Sequence, residues 1–113
     1  MNLLNQLRKG TTHLLVLSTL KNGWKYGYQI MRDLEAESEG YFTMTASLLY
    51  PTLHKLEDGG LVTGKWVPQE SGRDRKYYTI TDAGRKVLAE DTAEWERFYK
   101  ELTRLVDFNP ATT

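Results

Sequence analysis

Apolar residues recur with a helical period over three successive segments, switch to strict alternation, and then return to a helical period. Thr11 and Thr12 precede the run His13-Leu14-Leu15-Val16-Leu17-Ser18-Thr19-Leu20, and Asn22-Gly23 stops it, which predicts a short, heavily buried helix. Leu3, Leu4 and Leu7 either extend that helix or form a separate amphipathic turn. From Tyr26 to about Ser38, Gly27, Ile30, Met31 and Leu34 fall at i, i+3, i+4 and i+7, opposite Arg32, Asp33, Glu35 and Glu37, and Gly40 is the stop. A third segment begins with Thr45 as N-cap candidate. Its buried face is Ala46, Leu49, Leu53 and Leu56; its open face is Ser47, Pro51, His54, Lys55 and Asp58, with Tyr50 on the flank. Gly59-Gly60 ends it. Pro51 costs a backbone hydrogen bond in the second turn, a local conflict that fits either a functional site or a tolerated early kink.

The alternating segments follow. Leu61 to Val67 reads as a strand ending at Pro68, and Lys76 to Ile80 as its partner, with a polar tip from Gln69 to Arg75 that contains Gly72. Three helices followed by a hairpin make a mainly α chain with a small β-hairpin, the order of a winged helix-turn-helix. A last helix runs from Asp82 to about Val106, with Thr81 as its N-cap candidate. Leu88, Trp95, Phe98, Leu102 and Leu105 lie at spacings of 7, 3, 4 and 3, an a/d seam in which Asp91 takes one d slot. Such a helix is about 37 Å long, too long for a small winged domain to cover, so a second copy of the chain is the natural partner for the seam. The expected organisation is a winged domain over 1–80, a dimerisation helix over 81–107 and a frayed tail over 108–113.

Composition narrows the chemistry. With 113 residues the chain builds one core. It has no cysteine, which removes disulfides, thiolate metal sites and cysteine nucleophiles. The longest purely apolar run, Leu14 to Leu17, is far short of the ~18 residues that cross a bilayer, and the N-terminus lacks a signal-peptide pattern, so a cytoplasmic location is expected. His13 and His54 fall on different helices outside any catalytic motif, and Asp33, Glu35, Glu37 and Glu39 spread around their helix. No enzyme, cofactor or metal site is therefore expected.

The formal net charge is zero, so nucleic-acid binding has to be argued from where the charges lie. Residues 1–32 carry Arg8, Lys9, Lys21, Lys25 and Arg32 with no acid. Residues 33–60 hold six acids against Lys55 alone. The hairpin is again net basic through Lys65, Arg73, Arg75 and Lys76. On the third helix Ser47, Tyr50 and His54 are candidates for base contact and Lys55 for phosphate; Tyr50 serves equally well as a core-edge aromatic. Arg73, Arg75 and Lys76 suit phosphate or minor-groove contact, and Lys25 and Tyr26 sit where a helix N-terminus meets phosphate.

Several ordered pieces carry a family resemblance. They are Tyr26-Gly27-Tyr28-Gln29-Ile30, the run Leu48-Leu49-Tyr50-Pro51-Thr52-Leu53-His54-Lys55-Leu56-Glu57, and Gly60-Leu61. Gly72-Arg73-Asp74-Arg75-Lys76-Tyr77-Tyr78, Thr81-Asp82-Ala83-Gly84-Arg85 and Trp95 complete the set. In order and spacing the chain resembles PadR-family transcriptional regulators of the short type with a single C-terminal helix. Two positions depart from the family pattern: Ser47-Leu48 stand where Gly-Thr is common, and Asp74 replaces a wing proline and weakens the local positive field. The resemblance implies a homodimeric repressor on a near-palindromic operator of double-stranded DNA. The implied contacts are Lys25, Tyr26, Thr45, Ser47, Tyr50, Pro51, His54, Lys55, Arg73, Arg75 and Lys76. It also implies, as in multidrug-sensing members, a small aromatic or phenolic effector held at the dimer interface by Trp95 and Phe98. A packed dimer core without a cavity is the alternative at that interface. A winged-helix protein-interaction module that never touches DNA is the competing function.

Overall fold

The computed structural model describes residues 3–106, with the side chains of residues 4, 5, 8 and 9 left aside. The expected tail over 108–113 and the Leu4 side chain lie outside the described residues. The elements are α1 (Leu3–Thr19), β1 (Lys25–Tyr26), α2 (Gly27–Glu37), α3 (Ala46–Asp58), β2 (Val62–Pro68), β3 (Asp74–Ile80) and α4 (Asp82–Leu105). This is the winged helix-turn-helix order, with one strand more than the alternation of the sequence indicates.

The residues before Thr11 continue the first helix, so α1 is a single 17-residue element. Its second half supplies Val16 and Leu17 to the core, and the turn after it adds Leu20. Its first half runs out along α4, where Gly10 faces the Trp95 indole: a Cβ there would lie 3.7 Å from Cζ2, ordinary contact distance. From α2 come Ile30 and Leu34, and from α3 Leu49, Leu53 and Leu56. Ala46, expected on the buried face of α3, is exposed because it occupies the first turn, ahead of the sheet and α2. Thr52 takes a place on that face instead, its hydroxyl donating to the Leu48 carbonyl at 2.9 Å so that no polar group is left unpaired.

Pro51 lies inside α3 without ending it. Thr45 is the N-cap residue, in extended backbone, yet its side chain makes no capping bond; its hydroxyl lies 3.0 Å from that of Ser47. Gly59 stays helical and the left-handed stop falls on Gly60 (φ +74), whose successor Leu61 donates its N–H to the Leu56 carbonyl at 2.9 Å. That 6→1 bond is the Schellman closure.

The sheet is antiparallel with order β1-β3-β2. β1 is only two residues, Lys25 opposite Tyr78 and Tyr26 opposite Tyr77. Sequence pattern assigns these residues to the start of the second helix, and the reason is local: Tyr26 is both the last strand residue and the N-cap of α2, at φ −93 and ψ 166. An N-cap is extended in any case, so one residue ends a ladder and starts a helix without a linker. The hairpin is also longer than expected. β3 begins at Asp74, opposite Pro68, and the tip shrinks to Gln69–Arg73, closed by Gln69 N–H on the Arg73 carbonyl at 3.0 Å with Gly72 at φ +87.

Where the hairpin returns to the helices, Thr81 joins four segments. Its hydroxyl donates to the Gly60 carbonyl at 2.6 Å and accepts the Gly84 N–H at 3.0 Å, and its own N–H reaches the Leu61 carbonyl at 3.1 Å. Gly84 is buried against that same Leu61 carbonyl, so closely that a Cβ would overlap it and the Ile80 side chain. From this anchor α4 runs past Val87 and Leu88, which pack on the core, and then leaves the domain, giving a molecule 62 Å long and 28 Å by 25 Å across.

Backbone cannot retreat as a side chain can, so Gly84→Ala should lower the unfolding free energy by about 3 kcal/mol. Thr81→Ala, which removes a cap and the bridging hydrogen bond to the Gly60 carbonyl, should cost about 1–2 kcal/mol. Urea denaturation of the two variants measures both, and the glycine variant is expected to be the weaker.

Candidate nucleic-acid interface

The open face of α3 is the one expected: Ser47, Pro51, His54, Lys55 and Asp58 are all exposed, as is Thr45 just before it. Tyr50 does two things at once. It is 41% exposed, yet its ring and hydroxyl lie over Gly27 at the start of α2, in the space a Cβ would fill. The glycine of the Tyr-Gly-Tyr segment is thus the seat of the α3 tyrosine, a pairing that spacing alone does not reveal. Leu48, exposed on the first turn of α3, is a further apolar contributor that the sequence-based candidate set omits.

Strand alternation divides the basic residues between two faces. Opposite residues share a face, so Lys25 and Lys76 lie with buried Tyr78, while Tyr26 and Arg75 lie with Tyr77 on the outer side. The two inward lysines are paired: Lys25 Nζ with the Asp33 carboxylate of α2 at 2.8 Å, and Lys76 Nζ with the Glu57 carboxylate of α3 at 2.9 Å. On the outer side the Arg75 guanidinium sits 4.1 Å from the Tyr26 ring centroid, and Tyr26 meets Tyr77 edge-on at 5.5 Å. Lys65 lies similarly over Trp24, at 4.1 Å. Arg73 ends the hairpin tip, exposed, and Asp74 follows it at the foot of β3. Among the sequence-predicted cations, then, Arg73 and Arg75 are presented outward, whereas Lys25 and Lys76 are held against helices. Single-residue alternation on a strand decides this, and it becomes readable only once the strand's true start at Asp74 is known.

The Glu57 hydrogen bond holds the Lys76 ammonium above its ordinary value of 10.5, against the opposing effect of burial, and burial raises the Tyr78 phenol above 10.0. Along α4, Trp95 is half-buried and Phe98 is 56% exposed, their rings edge-to-face at 5.7 Å. With Glu94 they line an open depression of about 320 Å³. Leu88 is packed on the core, Leu102 is half-buried, and Leu105 is 72% exposed.

The sequence profile described as the transcriptional regulator PadR-like family matches residues 16–90, from the buried half of α1 into α4. The chain belongs to the PadR-like family. Its members are transcriptional regulators. A PadR family transcriptional regulator from Eggerthella lenta superposes with a TM-score of 0.83 at 35% identity, over 94% of this chain and 90% of that one. The negative transcriptional regulator PadR of Bacillus subtilis is 33% identical over 73 residues, 65% of this chain and 40% of that protein. The structure of Bacillus subtilis PadR in complex with operator DNA matches with a TM-score of 0.65 at 30% identity, over 70% of this chain and 45% of that one. This chain thus spans less than half the length of that regulator. Among the described residues no helix is long and apolar enough to cross a membrane.

The titration of Lys76 and Tyr78 has a definite sign. Both groups hold their proton more tightly in the folded state, so their contribution is complete below the unfolded values and is lost as pH rises through the folded ones. The contribution of these two groups should therefore be complete below about pH 10 and fall above it, and Lys76→Met should remove part of that fall. Urea midpoints measured from neutral to alkaline pH test the expectation.

Proposed function

We propose that the protein is a cytoplasmic, homodimeric repressor that binds a near-palindromic operator in double-stranded DNA. The observation that carries this reading is the exposed arc of α3, Ser47, Pro51 and His54 with Lys55 beside it, on a helix whose opposite face, Leu49, Leu53 and Leu56, is buried in the core. An α-helix fits the major groove, and hydroxyl, imidazole and ammonium groups reach base edges and phosphates there. Thr45, Ser47, Tyr50 and His54 contact bases or the adjoining backbone, Pro51 shapes the first turns, and Lys55 meets phosphate. Arg73 and Arg75 supply the flanking phosphate contacts from the hairpin, and Tyr26, at the N-terminus of α2, adds its hydroxyl. Similarity to the regulator whose structure holds operator DNA supports the assignment.

The dimer is built on α4. Trp95, Phe98, Leu102 and Leu105, continuing from Leu88, form a seam that one protomer leaves open at Phe98 and Leu105 and half-covered at Trp95 and Leu102, and a two-fold partner buries it. Placed near the axis, the depression at Trp95 and Phe98 meets its own copy. Two indoles then flank a slot suited to a small planar aromatic effector. Effector binding would favour the dimer geometry that suits DNA less well and so release the operator.

Binding to an operator duplex should fall steeply between about 50 and 200 mM salt. Arg73→Ala should weaken all sequences alike and reduce the salt slope by about one, whereas Ser47→Ala or His54→Ala should shift base preference by about 1–3 kcal/mol at one position. Mobility-shift titrations against operator variants separate these outcomes. Absence of any duplex binding at low salt would leave the protein-interaction reading instead. Leu102→Glu with Leu105→Glu should yield a monomer in analytical ultracentrifugation, and a dimer that survives would move the interface off α4.

A further inference from the structure

A side-chain ion pair ties the middle of the hairpin to α3. Lys76 and Glu57 are 19 positions apart and meet at 2.9 Å, with side chains only 22% and 30% exposed. Three neighbours are arranged around them. Gly64 on β2 leaves the space: a Cβ there would lie 2.5 Å from Lys76 Cε and 3.0 Å from the Glu57 carboxylate. Tyr78 offers its ring 5.2 Å below the ammonium, and Trp66, directly across the ladder from Lys76, offers a second at 5.8 Å. Beyond this pair and the Thr81 hydrogen bonds just past the end of α3, the packing of α3 on the sheet is built on the apolar side chains of Leu53, Leu56 and Val62 and the ring of Tyr78. Apolar burial is non-directional, so it holds the two elements together without setting their angle. A charge-assisted hydrogen bond is directional, and this one reaches from the last turn of α3 to the middle of β3.

We propose that the Glu57–Lys76 pair sets the angle of the hairpin against α3, and with it the distance between the base contacts of α3 and the phosphate contacts of Arg73 and Arg75. Both are positioning residues, and Lys76 is not itself a phosphate ligand. The inference rests on the DNA-binding reading above. It places Lys76, a basic residue of a basic hairpin, in a structural role that its composition disguises.

Charge makes the two roles opposite in sign. Were Lys76 a phosphate contact, Glu57→Gln would remove a nearby anion and strengthen operator binding, and Lys76→Met would lower the salt slope by about one. As a positioning pair, Glu57→Gln should weaken operator binding about 5- to 20-fold despite losing an anion, while affinity for random-sequence duplex stays level or rises. Lys76→Met should give a similar loss with the salt slope unchanged, and the double variant should be no worse than either single one. Tighter operator binding by Glu57→Gln, or additive losses in the double variant, would overturn the proposal. The probe is the duplex selected from a random library by the unaltered protein.

A second measurement needs no DNA. The sequence contains no cysteine, so Glu70→Cys on the hairpin tip and Asp58→Cys at the end of α3 take spin labels at chosen places only. In samples diluted with unlabelled chain, the distance distribution should be narrow with the pair intact and broad in Glu57→Gln. An equally narrow distribution in both would refute the positioning role even if the protein binds DNA well. Failure to select any duplex, with the broadening still present, would count against the DNA reading alone.

Discussion

Backbone meets backbone at one place on which the rest of the architecture depends. The Leu61 carbonyl lies against Gly84, and Thr81 bonds to the chain on both sides of that crossing. This junction joins the end of α3, the start of β2, the end of β3 and the start of α4. Because the contact is between main chains, no rotamer change can loosen it, and the direction in which α4 leaves the domain is set there. A small residue at position 84 is therefore a requirement of the fold, and it explains why a helix that extends beyond the core begins inside it.

Two further close approaches follow the same logic at the proposed DNA-binding face. Gly27 receives the Tyr50 ring, and Gly64 receives the Lys76 and Glu57 side chains. In each case a missing Cβ lets a large or charged group reach across from a neighbouring element. α3 is thereby located by α2 on one flank and by the hairpin on the other, while its central arc is left exposed. Zero net charge is compatible with this arrangement, since part of the basic set is neutralised by pairing and part is displayed.

Much of the fold is legible in the residues. The periodicities of α2, α3 and α4, the Thr81 cap and the Gly60 stop all follow from local chemistry that one strand of text displays. The departures share a cause: they depend on which element lies alongside. β1 was hidden because an N-cap and a strand end use the same extended backbone at Tyr26. The hairpin's length was hidden because Asp74 and Arg75 are polar on a strand with a solvent-facing side, where polarity does not separate strand from loop. The site followed the fold in this respect. Exposed residues on α3 were readable from the helical wheel. The opposite facings of Arg75 and Lys76, and the acids that hold Lys25 and Lys76, required the third dimension.

The departure of α4 from the core also separates two kinds of change open to this chain over evolutionary time. Phe98 and Leu105 are exposed within the protomer, and the residues that stabilise the winged domain lie elsewhere. Substitution at these exposed positions along the outer half of α4 therefore costs the winged core little. The winged head and the outer half of α4 can therefore diversify at different rates.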